Sequence, residues 1–120
     1  ELTKLRALRE RLDAAGAAGD ARAVFSRSAA LLRESAAVSR ATLDRIEALE
    51  RPPKAEDEIA AWIARSRRQA TLTDTLADAY EARDDARVAQ LTGRLDEGAA
   101  AAGEAAKRLG MRTCAERVQE

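Results

Sequence analysis

Residues 20–50 read DARAVFSRSAALLRESAAVSRATLDRIEALE, a stretch that contains neither Gly nor Pro. Its apolar side chains recur at three- and four-residue spacing, which is the period of an α-helix. An unbroken helix here would be about 46 Å long, too long to be stable in water without partners along its apolar side. The rest of the chain is therefore expected to supply helices that pack against it.

Three further segments carry the same helical period. The predicted helices span about residues 1–15, 20–50, 55–82 and 85–109, followed by a C-terminal tail at 110–120. The turns between them are predicted at 16–19, 51–54 and 83–85. Connections this short force sequential helices to be antiparallel neighbours. The sequence therefore predicts one all-α domain, an up-down-up-down antiparallel four-helix bundle with a truncated first helix.

Acidic residues and glycine mark several of the predicted helix ends. Asp20 and Asp85 are expected to cap the second and fourth helices by accepting hydrogen bonds from their first amides. Gly110 is expected to follow the last helical residue. Leu49 is expected to widen the apolar stripe of the second helix on one side, together with Val24, Leu31 and Val38.

The second half of the fourth helix is almost entirely Ala and Gly, which predicts a close approach by whatever packs there. Gly98 lies on the apolar stripe, so close packing can offset its poor helix propensity. Gly93 and Gly103 have no such explanation in the sequence.

Charge and composition exclude several classes of protein. The chain has 21 basic and 21 acidic residues, and Phe25, Trp62 and Tyr80 are its only aromatic residues. A nucleic-acid binder needs an excess of Lys and Arg or aromatic surfaces for stacking, so no nucleic-acid partner is expected. The same balance removes any attraction to anionic membrane surfaces, so membrane contact is expected only through an upstream anchor.

The chain has no His, which removes the usual general base and the commonest metal ligand. It also has no Gly-rich phosphate loop between a strand and a helix. We therefore expect no enzymatic activity, no catalytic residues, no cofactor and no metal site. Arg65, Arg67 and Arg68 are expected to form surface ion pairs rather than a phosphate clamp, because acidic residues are as plentiful as basic ones.

The short first helix predicts a gap in the bundle. It would be about 22 Å long against about 40 Å for the others, so the end nearest Pro52 and Pro53 is expected to lack a fourth wall. The residues expected to line that end are Leu43, Ile46, Trp62, Ile63, Ala102, Ala106 and Leu109. Upstream residues of the intact protein would fill the gap, which we prefer because a monomer rarely leaves a contiguous apolar patch open. The alternative is a site for an apolar ligand or a partner helix.

Residues 109–114 read LGMRTC, an ending that resembles small exported proteins and lipoproteins of high-GC Gram-positive bacteria. The segment LERPP at 49–53 and the following Trp62 are also similar to that group. The resemblance implies a signal peptide and an extracytoplasmic location, either secreted or membrane-anchored, and it implies no activity. Members usually carry a second Cys near the start of the first helix, which this chain lacks.

The resemblance also implies that Cys114 forms a disulfide with a partner upstream of this chain. Such a bond would tie the two ends of the bundle together. The alternative is a free, partly buried thiol that behaves as a small apolar residue. No His is available to activate Cys114 as a nucleophile.

Two functions from different classes follow from these features. The first is a non-enzymatic extracytoplasmic helical-bundle module for binding or scaffolding, with a protein partner or an apolar ligand. The second is a cytoplasmic coiled-coil-like module for protein–protein interaction that self-associates as a homodimer. A signal peptide in the upstream sequence would distinguish them.

Overall fold

The computed structural model describes residues 2–17 and 21–110, which form a four-helix bundle. The helices are α1 (Leu2–Ala17), α2 (Ala21–Glu47), α3 (Glu56–Glu81) and α4 (Asp85–Arg108), and a single 3-10 turn at Pro53–Ala55 leads into α3. The described residues contain no strand. The predicted all-α bundle is confirmed.

Helix α2 ends at Glu47, three residues before its predicted end. Pro52 disfavours the helical conformation at Arg51, the residue before it, and neither Pro52 nor Pro53 has an amide hydrogen with which to continue the helix. The chain tightens instead, and the amide of Leu49 donates to the carbonyl oxygen of Ile46 at 3.1 Å. Leu49 was expected on the packed stripe; it lies past the end of the helix and is 66% exposed.

Two other helix ends also differ from the prediction. Helix α1 continues to Ala17 instead of ending at residue 15. Helix α4 is capped by Asp84, whose Oδ1 accepts a hydrogen bond from the amide of Arg87 at 3.0 Å, and Asp85 is its first helical residue. The reason is that a left-handed residue, Arg83, ends the preceding turn and leaves Asp84 as the last residue before the helix. The cap predicted at residue 20 lies outside the described residues.

Helices α2 and α3 pack as an antiparallel coiled coil. Their buried seam positions recur every seven residues and are Ala29, Ala36 and Leu43 on α2 and Ile63, Ala70 and Ala77 on α3. The alternate seam positions are half-buried and are Leu32, Ser39 and Ile46 on α2 and Ser66, Thr73 and Tyr80 on α3. Because Ala occupies most of the buried positions, the two helices can approach closely.

Charged residues flank this seam on one side, one per helix every seven residues. We call them the charge line, and they are Arg33, Arg40 and Glu47 on α2 and Arg67, Asp74 and Glu81 on α3. The middle pair joins Nη2 of Arg40 to Oδ2 of Asp74 at 2.7 Å. The outer pairs are Arg33 with Glu81 and Glu47 with Arg67, in the same antiparallel order. The charge line therefore bridges α2 and α3 along most of their length.

Both outer arginines of the charge line also hold a second carboxylate. Nη2 of Arg33 lies 2.7 Å from Oδ1 of Asp78. Nη2 of Arg67 lies 2.8 Å from Oδ1 of Asp44 and 2.6 Å from Oε2 of Glu47. The pKa of Arg67 is raised above its ordinary value, mainly by the hydrogen bond to Asp44 and secondly by the one to Glu47. Arg67 therefore forms the surface ion pairs predicted for it.

The order of signs on the charge line specifies how α2 and α3 align. In a parallel arrangement Arg33 would lie beside Arg67. In an antiparallel arrangement shifted by seven residues, either Arg40 would lie beside Arg67 or Glu47 beside Asp74. Each alternative brings like charges together, so the sequence disfavours wrong pairings as well as stabilising the right one.

Reversing one charge on the charge line should lower the thermal stability of the protein. In the Arg67→Glu variant a third carboxylate would face Asp44 and Glu47, so we expect a lower Tm, with the larger decrease at low salt. Adding Glu47→Arg should recover part of the loss, because the pair re-forms with its signs exchanged. Circular dichroism melts at two salt concentrations measure both effects. A double variant that melts no higher than the single variant would contradict the pairing.

Helix α4 packs against α3 around an apolar cluster beside their connecting turn. Its buried members are Leu76, Ala79 and Leu91, and the half-buried residues around them are Leu32, Leu72, Tyr80, Val88 and Leu95. Within the described residues the cluster draws on α2, α3 and α4 and not on α1. The core is therefore centred at the end of the bundle that carries the turn between α3 and α4.

Further from that turn, large side chains of α3 lie over small residues of α4. The amide group of Gln69 occupies the space where a Cβ on Gly98 would be. Nη1 of Arg65 donates to the carbonyl oxygen of Ala101 at 3.4 Å. Gly98 is thus a point of close approach, as predicted. Gly103, for which the sequence offered no reason, is also buried.

Gly93 and Gly98 should respond oppositely to the addition of a methyl group. Gly93 has open space around the position of a Cβ, so Gly93→Ala should raise the free energy of unfolding by about 1 kcal/mol through helix propensity alone. Gly98→Ala should raise the free energy of unfolding by less than Gly93→Ala, or lower it, because the Gln69 side chain must move to make room for the methyl group. Urea denaturation of the two variants measures the difference. In a Gln69→Ala background the two substitutions should become alike, and a persistent difference would contradict the overlap with Gln69.

Candidate functional site

The seven residues predicted to line an open end of the bundle all lie on α2, α3 or α4. The buried ones are Leu43, Ile63 and Ala106. The half-buried ones are Ile46, Trp62, Ala102 and Leu109. None of the seven is fully exposed. That they line a groove stays a prediction.

Helix α1 covers only part of α2. Its backbone approaches α2 and no other described helix, and Nη2 of Arg11 lies 3.4 Å from Oε2 of Glu34. The two helices run antiparallel, so nine residues before Arg11 on α1 correspond to nine residues after Glu34 on α2. Leu2 therefore lies opposite residue 43. Ile46 and Leu49 therefore lie beyond the described part of α1.

A surface depression of about 370 Å³ lies at the other end of the bundle, beside the turn between α3 and α4. We call it the Phe25 corner, and its lining residues are Arg22, Phe25, Ser26, Glu81 and Arg83. The first three lie in the first two turns of α2; Glu81 is the last residue of α3, and Arg83 lies in the turn that follows it. The corner therefore exists only when α2 and α3 are paired.

The Phe25 ring forms the apolar part of the Phe25 corner, and its contact with Tyr80 joins the corner to the core. The ring centroids of Phe25 and Tyr80 lie 5.9 Å apart, with the ring planes tilted by 42°. This separation is typical of a favourable aromatic pair. Tyr80 also packs against the apolar cluster of α3 and α4, so the position of Phe25 is tied to the core.

The turn that follows α3 places Arg83 over the Phe25 ring. The amide of Arg83 donates to the carbonyl oxygen of Tyr80 and the amide of Asp84 to that of Ala79, both at 3.1 Å, which closes the helix end. This turn holds Arg83 at a φ of +53°. Its guanidinium carbon lies 5.2 Å from the centroid of Phe25, within the range of a cation–π contact.

The charge at the Phe25 corner is predominantly positive. Among the described residues that line it, Glu81 is the acidic one, and Arg33 of the charge line pairs with Glu81. Because Arg33 also holds Asp78, this pairing offsets part of the negative charge of Glu81. Arg83 adds positive charge at the rim of the depression, beside the hydroxyl group of Ser26.

A second, smaller depression lies between α1 and α2 and is lined by Arg11, Arg27, Ala30 and Leu31. It contains no aromatic residue. No group of three or more Asp, Glu or Cys side chains in the described part of the chain is arranged to hold a metal ion. Cys114, the disulfide candidate, lies outside the described residues.

Sequence reasoning placed the components of the Phe25 corner but did not bring them together. Phe25 and Tyr80 fall within two of the predicted helices, and residues 83–85 were assigned to a turn. One signal was available: the turn contains neither Gly nor Asn, so another residue type had to adopt the left-handed conformation that often ends a helix. That Arg83 then reaches Phe25 depends on the pairing of α2 with α3.

Comparison with protein-family models, curated proteins and solved structures finds no match to this chain. None of the described helices combines the length and the apolar character that crossing a membrane requires.

Proposed function

We propose that this protein is a non-enzymatic module for binding or scaffolding, and that it contacts a protein partner through the Phe25 corner. The observation that carries the proposal is the corner itself, a depression with an aromatic floor and a cationic rim. The coiled coil of α2 and α3 supplies a frame whose alignment is specified by the charge line. The corner combines an aromatic surface with charged and hydroxyl groups, which are the kinds of group that orient a bound partner.

The proposed place of action is outside the cytoplasm, where the protein is secreted or held at the membrane by an upstream anchor. The support is the ending LGMRTC at 109–114 and its resemblance to exported proteins. A fusion of the full-length gene to a reporter enzyme that is active only after export tests the location. An inactive reporter would overturn it.

Site-specific photo-crosslinking tests the binding surface. A photoreactive amino acid is placed at Ser26 in the Phe25 corner, and in a control protein at Thr92, which is exposed on α4. Cells that naturally produce the protein are irradiated, and adducts are resolved by mass. We expect a discrete adduct from position 26 and none from position 92. No adduct, or equal labelling at both positions, would overturn the proposal.

The alternative function is a cytoplasmic module that self-associates. The exposure of Leu49 beside the connection between α2 and α3 favours it, because an apolar side chain in that position can join two copies. Sedimentation velocity of the wild-type protein and a Leu49→Lys variant tests this alternative. A dimer that the substitution dissociates would support it, and so would a crosslinked adduct of twice the mass of the chain.

A further inference from the structure

The backbone conformation of Arg83 is unfavourable for arginine. At a φ of +53° the Cβ of an L-amino acid is crowded, which is why glycine is the usual residue at this point of a helix end. The hydrogen bonds of the turn come from main-chain groups, so glycine would serve the turn at least as well. Such strain is found most often at functional sites. What distinguishes this turn from one that ends in glycine is therefore the side chain of Arg83.

The contact with Phe25 shows where the Arg83 side chain is held. The guanidinium carbon lies 5.2 Å from the ring centroid, at the rim of the depression. A cation–π contact at an exposed site is weak, and it is no stronger than the cost of the left-handed backbone. The contact therefore orients the guanidinium, but its energy alone does not outweigh the cost of the left-handed backbone.

The polar groups of the corner match a carboxylate. A guanidinium donates two parallel hydrogen bonds to a carboxylate, and the hydroxyl group of Ser26 adds a further donor to the lining. In the described part of the chain, Glu81 pairs with Arg33, and Asp84 accepts the amide of Arg87 to cap α4. The Phe25 ring offers an apolar surface for a side chain next to that carboxylate.

We infer that the Phe25 corner binds an acidic segment of a protein partner, with a carboxylate on Arg83 and a neighbouring apolar side chain on Phe25. This inference rests on the proposed function and specifies the chemistry of the partner. Arg83 is the residue that recognises the carboxylate. Glycine at this position would relieve the backbone but could not make that contact.

An NMR titration of the full chain with the peptide acetyl-Phe-Glu-Glu-amide tests the inference. We expect saturable shifts of the amide signals of Phe25, Ser26 and Arg83, and no such shifts with acetyl-Phe-Gln-Gln-amide. The Arg83→Gly variant should bind at least fivefold more weakly and melt no lower than the wild type. Arg83→Lys, which keeps the charge, should bind with intermediate affinity. Arg94→Ala, which removes an exposed arginine of α4, should bind like the wild type.

Three results would overturn the inference. The first is undiminished binding by Arg83→Gly, and the second is equal binding of the two peptides. The third is inorganic phosphate shifting the same signals at the same concentration, which would identify a site for any anion. These outcomes are distinguishable from failure of the proposed function, because an adduct at position 26 in cells would still identify the corner as a binding surface.

Discussion

Replacing Leu91 with Ala should lower the free energy of unfolding by about 2–5 kcal/mol. Leu91 is completely buried, at 0% exposure, and lies at the centre of the cluster that joins α3 to α4. The substitution removes apolar contacts and leaves a cavity, since the helices around it cannot collapse fully. Urea denaturation followed by circular dichroism gives the change.

Leu32→Ala is the matched comparison for Leu91→Ala. Leu32 packs against the same cluster from α2 but is only half-buried, so its loss should cost less. A cost below about 1 kcal/mol for Leu91→Ala would be typical of a surface change and would contradict the central position of Leu91.

Enlarging Ala77 should be the second severe change. Ala77 is buried at 0% exposure on the seam between α2 and α3, where most of the buried positions are occupied by Ala. A leucine there would push the two helices apart, and we expect Ala77→Leu to destabilise by about 1–3 kcal/mol. It should also weaken the ion pairs of the charge line, because they depend on the same separation.

Ala64→Leu controls for helix propensity and added apolar area, because Ala64 is exposed on the same helix. It should change the free energy of unfolding by no more than about 0.5 kcal/mol. The measurement is again denaturant unfolding. If the two variants were equally stable, the close approach of α2 and α3 at Ala77 would be refuted.

The four helices were predictable because their apolar residues keep one spacing over long stretches. Ala29, Ala36 and Leu43 recur every seven residues, and such a repeat cannot be buried by a strand. Short turns then leave little choice of topology. The fold class follows from these local patterns alone.

The sequence predicted the contacts between helices and the exact ends of the helices less well. The double proline limits how far α2 can run, but the end at Glu47, three residues before the predicted one, does not follow from the missing donors. Asp84 rather than Asp85 caps α4 because of the conformation of Arg83, a property of the turn as a whole. The contact of Arg83 with Phe25 joins residues far apart in sequence. The spacing of apolar residues along each helix gives no information on such a contact.

The pairing of each helix with its neighbours in sequence also bears on the entropy of the chain. In the described residues, backbone approaches between helices join only α1 to α2, α2 to α3 and α3 to α4. The cost of bringing two segments together grows with the length of chain between them, and here that length never exceeds one hairpin. Each hairpin can gain its contacts before the next one forms. The chain can therefore reach its native topology through a series of local steps, without a long-range search.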